Sequence, residues 1–343
     1  MKILLGMSGG IDSTYAALKL IDGGHDVTGA ILVMHEYTDV SAAERAAARL
    51  GINLVKIDCT RQFDEAVKSY FINEYTHART PNPCIVCNRE VKFRYLYEYA
   101  VKNGFDKIAT GHYARIVTVD TPDGTRYATA AARDCSKDQT YMLYRLPQEV
   151  LGMLVLPLSD DVKSEVVLSA TARGIKEEGQ KESQEICFIP DDDYRGYIES
   201  RVGKFPEGSF IDREGRVLGT HKGIISYTVG QRKGLGISLG ERAFVTGIDP
   251  LNNTVTVDTA PPLCDKIEVS SLVYSGMAEQ PVGTEFRASV KIRYKAKAVY
   301  ATVRIKDCAS AEIIFDEPAA LVAPGQSAVV YRDGVVLLGG FIN

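Results

Sequence analysis

Lys2 to Ser13 reads KILLGMSGGIDS. KILLG (2–6) is a short apolar run with strand character. From Asp12 to Ile21 the pattern is helical, with Ala17, Leu20 and Ile21 on one face and Gly23-Gly24 as the stop. Between strand and helix lies GMSGGIDS (6–13). Gly9 and Gly10 allow a sharp turn and a close approach of backbone to an anion. The first amides of the following helix point at that anion, and the helix dipole favours negative charge there. Ser8 and Ser13 add hydroxyl donors. No Gly-Lys-Ser/Thr follows, so this is not the Walker loop, and the glycine spacing is not that of a dinucleotide site. The arrangement suits the pyrophosphate end of ATP, with Asp12 placed to help hold Mg²⁺.

The same alternation continues outward. VTGAILVM (27–34), INLVKID (52–58) and FDKIATG (105–111) read as further strands, with Ser41 and Glu44 as a capping box before ERAAARLG. Strands separated by helices predict a doubly wound parallel sheet. Near residue 200 the pattern becomes short β runs punctuated by Glu214-Gly215, Asn252-Asn253, Pro261-Pro262 and Asp333-Gly334. AVVYRDGVVLLGG (328–340) predicts a hairpin about Asp333-Gly334. The expected fold class is therefore α/β followed by all-β. Its α/β domain spans 1–200, with a helical part at about 159–200. A small central β domain (201–265) and a C-terminal β-barrel (266–343) complete the chain.

The chain has 343 residues, 24% charged and 45% hydrophobic, which is ordinary globular composition. No apolar run approaches a membrane span, and the N-terminus carries no targeting pattern, so no membrane partner and a cytoplasmic location are expected. The net charge of −4 confines any nucleic-acid surface to a local patch. Seven cysteines, at 59, 84, 87, 135, 187, 264 and 308, argue against a disulfide framework. Cys59, Cys135, Cys264 and Cys308 lack partner spacing and are expected to be buried packing thiols. His25, His35 and His77 carry no motif and are expected to be structural or exposed.

TPNPCIVCN (80–88) is the second informative stretch. Pro81 and Pro83 restrict the backbone and expose the cysteine pair after them. NREVKFRYLYEYA (88–100) reads as a helix, so Cys87 is expected near a helix N-terminus, where a thiol becomes more acidic. The phosphate loop resembles that of the N-type ATP pyrophosphatases. With it come TPNPCIVCNREVKF, ATGHYAR (109–115), KDQTYML (137–143), KESQEICFIP (181–190), GTHKGIISYTVGQRKGLGIS (219–238), KIRY (291–294) and APGQSAVVY (323–331). In this order, over essentially the whole chain, they resemble the tRNA-specific 2-thiouridylases, which thiolate the wobble uridine (position 34) of certain tRNAs.

That resemblance implies a set of roles. ATP is held by Gly6, Met7, Ser8, Gly9, Gly10, Ile11, Asp12 and Ser13, with Leu32 and Gly111. Cys87 and Cys187 are catalytic, Cys187 carrying the persulfide, and Cys84 stands beside the target base. Asn82, Pro83, Cys84, His112, Lys137, Asp138, Gln139, Arg293, Tyr294 and Gln326 contact tRNA. Sulfur comes from a cysteine desulfurase or a relay protein. Two departures stand out: many members carry Asp where this chain has Cys84, and HEYTDVS (35–41) is short. Uracil O2 is adenylated, and sulfur then arrives either from the persulfide or from a [4Fe–4S] cluster held by Cys84, Cys87 and Cys187. An RNA thiolase acting on another base or RNA is the alternative function.

Residues 287–306 hold seven basic side chains and no acidic ones. Lys291, Arg293, Lys295 and Lys297 alternate with Val290, Ile292, Tyr294 and Ala296. On a strand this predicts a phosphate-facing row and a core-facing row. Arg232 and Lys233, in GQRKGLG (230–236), extend the basic surface.

Overall fold

A computed structural model of the chain describes residues 1–175, 186–237 and 242–343. The strands of the N-terminal region are β1 (Lys2–Gly6), β2 (Asp26–Val33), β3 (Leu54–Asp58) and β4 (Lys107–Thr110). The hairpin β5 (Arg115–Thr121)–β6 (Gly124–Ala130) and the short β7 (Leu154–Val155) come next. β1–β4 and β7 form a five-stranded sheet in the order β3-β2-β1-β4-β7, parallel throughout. Alternation on β1 explains the layers. Ile3 and Leu5 pack with α1 (Ile11–Asp22) and α2 (Val40–Leu50), whereas Leu4 packs with Phe93 and Leu96 on the opposite face. A strand buried on both faces has to read as a continuous apolar run, as KILL does.

The order reverses at β1. Ligands of open α/β sheets bind at such a switch point, outside the carboxyl ends of the strands. Here the residues after β1 and β4 meet because Gly6 pairs with Thr110.

Downstream, β8 (Gly208–Ile211), β9 (Val217–His221), β10 (Phe244–Asp249) and β11 (Thr254–Asp258) form a four-stranded sheet. β12 (Leu263–Tyr274), β13 (Glu285–Lys291), β14 (Val299–Asp307), β15 (Ser310–Ala320), β16 (Ser327–Arg332) and β17 (Val335–Ile342) close into a barrel through the β12–β17 pairing. The β16–β17 hairpin turns at Asp333 (φ 52°) and Gly334 (φ 77°), as the Asp-Gly signal predicts. β6 joins β17 at the Val335–Ala130 pair, so a hairpin from the first half of the chain extends the barrel sheet. The β5–β6 hairpin is an addition to the expected elements, although Asp123-Gly124 between β-branched runs carries the same turn signal.

Several local expectations are corrected. α2 is capped by Asp39, whose side chain accepts from Ala42 N at 2.9 Å, and Ser41 donates to Asp39. The helical run around the cysteines starts earlier than predicted, at Pro83 rather than Asn88. It passes from Pro83–Cys87 through a π-turn, Asn88–Lys92, into Phe93–Lys102. Pro83 is a favourable first helical residue because its missing N–H has no partner to lose. Cys84, not Cys87, therefore lies at the helix start. Of the basic row 291–297 only Lys291 is in a strand, as the last residue of β13. Val290 pairs with Val299, so the chain reverses through those residues. Cys59 is buried, but Cys135 and Cys308 are exposed and Cys264 is half-buried. His35 is buried and His77 exposed.

Helices Lys163–Ala172 and Tyr194–Val202 occupy the region read as helical. Residues 181–185 of KESQEICFIP and Ser238 lie outside the described residues. Among the described residues, no helix is long and apolar enough to cross a membrane.

Candidate active site

The phosphate loop is built almost wholly from local bonds. Met7 N donates to Ala30 O at 2.8 Å, anchoring the loop to β2. Ser8 N donates to Ser13 Oγ at 3.2 Å, and Ser13 Oγ donates to Gly10 O at 3.0 Å. Gly10 is the N-cap of α1 with no side-chain cap bond. The first amides of α1 are thus left to an anion, as ATP requires. Gly9 sits at φ +79°, and a Cβ there would come within 2.4 Å of Ala42 C. A Cβ on Gly111 would lie 2.8 Å from Asp12 C and Ser13 N. Both glycines are needed because two backbones touch. Met7, within the loop, and Leu32 on β2 are both buried, in the cores on opposite faces of the sheet.

Asp12 is more engaged than its sequence position suggests. Lys163 Nζ donates to both of its carboxylate oxygens at 2.7 Å, and Tyr113 Oη donates to Oδ1 at 2.8 Å. Gln139 Oε1 accepts from Tyr113 N at 2.9 Å and holds that segment in place. No sequence motif points to Lys163.

The thiol side begins one residue beyond Gly111. His112 Nδ1 is 2.8 Å from Thr110 Oγ1, and its ring lies 5.4 Å from that of Phe93. Burial, reinforced by the ammonium of Lys92, lowers its pKa to about 3, so the imidazole is neutral at physiological pH. Cys87 is 4% exposed, with Sγ 3.8 Å from Met34 Sδ. Burial pushes its pKa up to about 12, the opposite of the activation expected from a helix N-terminus. Lys92 opposes that shift, while Cys84 and Cys187 add to it, so these groups share one electrostatic neighbourhood. Cys187 is itself raised by burial and likewise opposed by Lys92.

The π-turn explains how Lys92 gets there. Five α-helical residues would set it about 140° from Cys87 around the axis. The wider π-turn, roughly 4.4 residues per turn, reduces that angle to about 50°. A second π-turn, Asp64–Lys68, ends in Lys68, which is paired with Asp64 at 2.7 Å and also opposes the Cys187 shift. Lys92 lies within the NREVKF motif, but its direction depends on a π-turn that no sequence pattern signals.

Cys84, Cys87 and Cys187 do not assemble into a metal centre in this fold. Among the described residues no group of three or more His, Cys, Asp or Glu side chains could hold a metal ion. As placed among the described residues, the three thiols do not form a donor set for a cluster.

The remaining sequence-predicted residues gather at the seam between the α/β domain and the barrel. Asn82 Nδ2 is 3.6 Å from Met142 Sδ, and Pro83 is buried. Gln326 Nε2 donates to Thr80 O at 2.7 Å, tying the barrel to the cysteine segment. Asp138 is buried, accepts from Thr140 Oγ1 at 2.7 Å and lies 3.7 Å from Lys291 Nζ. The Tyr294 ring is 6.2 Å from Tyr141, and burial, Asp138 and Cys84 raise its pKa. Arg293 Nε is buried without a partner among the described residues. Lys137 is half-buried, whereas Lys295, Lys297, Arg232 and Lys233 are exposed. Arg287 and Arg304 are taken up by barrel carboxylates, Asp316 for the first and Glu285 and Glu312 for the second.

Family models match the chain in three consecutive pieces. They are a tRNA methyl transferase HUP domain at residues 1–191, a tRNA methyl transferase PRC-barrel domain at 195–259, and an aminomethyltransferase beta-barrel domain at 264–342. A tRNA-specific 2-thiouridylase MnmA of Treponema denticola is 39% identical over 100% of this chain and 98% of its own. That of Clostridium acetobutylicum is 40% identical over 99% of each. Among solved structures, a 4-thiouridine synthetase–RNA complex with bound ATP aligns at TM-score 0.39 and 20% identity. It covers 59% of this chain and 50% of that one, a likeness too slight to carry an argument.

Proposed function

The chain belongs to the tRNA-specific 2-thiouridylase family, and on that premise we propose how it acts. It is a sulfur-transferring enzyme that thiolates uridine in tRNA and uses ATP. The finer reading is 2-thiolation of the wobble uridine, position 34. One observation supports the coupling of ATP activation to sulfur transfer above the others: Gly111 touches the backbone of Asp12, and the next residue, His112, faces Phe93 and Lys92 beside the cysteines. Two adjacent residues join the phosphate loop to the thiols, so an activated base can reach sulfur without leaving the site.

In this reading, uracil O2 attacks the α-phosphorus of ATP and pyrophosphate leaves. The uncapped amides of α1 and Ser8 hold the polyphosphate, and Asp12 would be the carboxylate to hold Mg²⁺, which would neutralise phosphate charge. Neutral His112 offers a hydrogen bond to the base without adding charge. The terminal sulfur of a Cys187 persulfide attacks C2, and AMP departs with the former O2. The Cys87 thiolate then attacks Cys187 Sγ. The sulfur–sulfur bond breaks, sulfur stays on C2, and a Cys87–Cys187 disulfide forms for an external dithiol to reduce. A cysteine desulfurase or relay protein reloads the persulfide. Asn82, Lys137, Gln139, Arg293, Tyr294 and Gln326 border the tRNA at the seam.

The test is nucleoside mass spectrometry on unmodified tRNA incubated with the protein, ATP, Mg²⁺, a desulfurase and labelled cysteine. Labelled 2-thiouridine at position 34 is expected. A labelled thionucleoside at another base or position would replace the wobble reading with that of a different RNA thiolase.

A further inference from the structure

Lys92 brings a positive charge to the thiols, and among the described residues no carboxylate pairs with it there. It is the last residue of the π-turn Asn88–Lys92, directly before Phe93, whose ring lies 5.4 Å from that of His112. The residue as a whole is half-buried, but desolvation is the largest influence on its ammonium, so the charged end is the enclosed end. Against that burial, Cys87, Cys84 and Cys187 hold its pKa above the ordinary lysine value, and no carboxylate is among these groups. Its charge also reaches His35 and His112, whose pKa values are lowered by burial first and by neighbouring ammonium charge second.

Lys68 shows the ordinary arrangement. It ends the other π-turn, Asp64–Lys68, and its charge also acts on Cys187, but Asp64 meets it at 2.7 Å and Glu36 at 3.6 Å. Its charge is taken up within that group. An enclosed ammonium without a counter-ion is unfavourable, because the charge is desolvated and nothing attracts it in return. A fold that keeps one at a reaction site has a cation in place for an anion that forms later. The groups around Lys92 point to sulfur as that anion, since they are three thiols and two imidazoles held toward the neutral form.

We propose that Lys92 is a charge-positioning residue of the sulfur site, its ammonium serving as counter-ion first to the Cys187 persulfide anion and then to the Cys87 thiolate. The proposal rests on the persulfide reading of Cys187 and Cys87. Lys92 keeps its proton and forms no covalent bond. The negative charge it faces passes to AMP in the first displacement. In the second it passes to the thiolated base, where a proton from solvent neutralises it.

The first measurement compares alkylation of Cys187 by iodoacetate and by iodoacetamide at one pH, resolved by peptide mass spectrometry. The native protein is set beside K92M, K92Q and K92R. The two reagents differ in charge and react with the same thiolate, so their rate ratio reports the local field and cancels the thiolate fraction. A fall of about threefold or more in the anionic-to-neutral ratio is expected for K92M and K92Q, with K92R close to native. Cys308, exposed between β14 and β15, should keep its ratio in every variant. The second measurement is single-turnover thiolation of tRNA from a preloaded Cys187 persulfide. K92M and K92Q should slow it about tenfold or more, and K92R should recover most of the rate, with affinity for α,β-methylene-ATP within about twofold of native throughout. Replacing an unpaired charge by an apolar chain of similar length should not unfold the protein, and if K92M does unfold, K92Q and K92R carry the comparison. An unchanged alkylation ratio overturns the proposal, and so does a reduced ratio with unchanged transfer. A fall in nucleotide affinity would make the anion a phosphate and overturns it too. A native protein that thiolates no tRNA overturns the persulfide reading itself, a separate failure that the alkylation ratio does not share.

Discussion

The phosphate loop and the cysteine segment do opposite things with similar means. Each places a short helical start at the edge of the same sheet. The loop leaves polar groups open: Gly10 caps α1 without a side-chain bond, and the amides await an anion. The cysteine segment closes over one of its thiols, with Cys87 inside the helical run and 4% exposed. Binding a polyanion needs donors ready in advance. Burial of a thiol does the reverse, since desolvation keeps it protonated. Lysines sit beside both, and both arrive from outside the local pattern: Lys163 from a distant helix, Lys92 through a π-turn.

The contrast can be broken most directly at sulfur. Cys87→Ser and Cys187→Ser should each abolish 2-thiouridine formation while leaving binding of α,β-methylene-ATP unchanged. Loss of nucleotide binding in either variant would show that the two regions are not separable.

Gly111→Ala presses on the point where they meet. Its new Cβ would sit 2.8 Å from Asp12 backbone, which cannot yield as a flexible side chain can. Overpacking of this kind costs about 1–3 kcal/mol. Nucleotide affinity should fall by about tenfold to a hundredfold, because about 1.4 kcal/mol is a factor of ten. Calorimetric titration reads the loss, and an unchanged affinity would mean that β4 simply shifts aside.

Protonation separates the regions by pH. Cys87 has a folded pKa of about 12, above the ordinary thiol value of 9.0. The folded state therefore holds its proton more tightly than the unfolded one. This contribution is fully present below pH 9 and is lost as pH rises toward 12, at about 1.4 kcal/mol per pH unit. Cys59, also raised to about 12, and Cys187, also raised by burial, add to the slope, so Cys87→Ser should remove part but not all of the thiol-dependent fall in urea midpoint between pH 9 and about 11. His112 works at the acid end. Its pKa of about 3 lies below the usual 6.5, so its contribution is present above 6.5 and lost as pH falls toward 3. His112→Asn should flatten that acid limb, and an unchanged limb would place the imidazole in solvent.

The smallest effect tests the scaffold alone. Asp39→Ala removes the cap of α2, worth about 1 kcal/mol. Thermal melting should shift down, with Cys87 alkylation kinetics unaltered at matched folded fraction.

The legible parts of the sequence are those where one local rule suffices. KILLG and the apolar runs of β2 and β4 announce burial on both faces, whereas in the edge strand β3 only Ile57 is buried. Asp333-Gly334 announces its hairpin, and Asp123-Gly124 carries the same signal more faintly, because its flanking strands are largely polar. The parts that differ from expectation depend on neighbours. Ser41 reads as a cap, but Asp39 reaches the Ala42 amide first. The alternating lysines and Arg293 read as a strand face, but the pairing of Val290 with Val299 turns the chain there. The cysteines' order is plain in the sequence, but the burial of Cys87, beside the exposed Cys84 and Cys187, is not.

By itself the sequence determined the alternating strands and helices, the anion loop after β1, the order of the motifs and hence the family. The first two follow from backbone conformation and periodicity within a dozen residues, and the family from the resemblance of the motifs taken in order. Only the tertiary structure decided which charges face those motifs. Lys163 reaches Asp12, Gln326 ties Thr80 to the barrel, and burial holds Cys87 and His112 neutral. Charge and desolvation act through space, between segments far apart in the chain, so no local pattern can encode them in readable form.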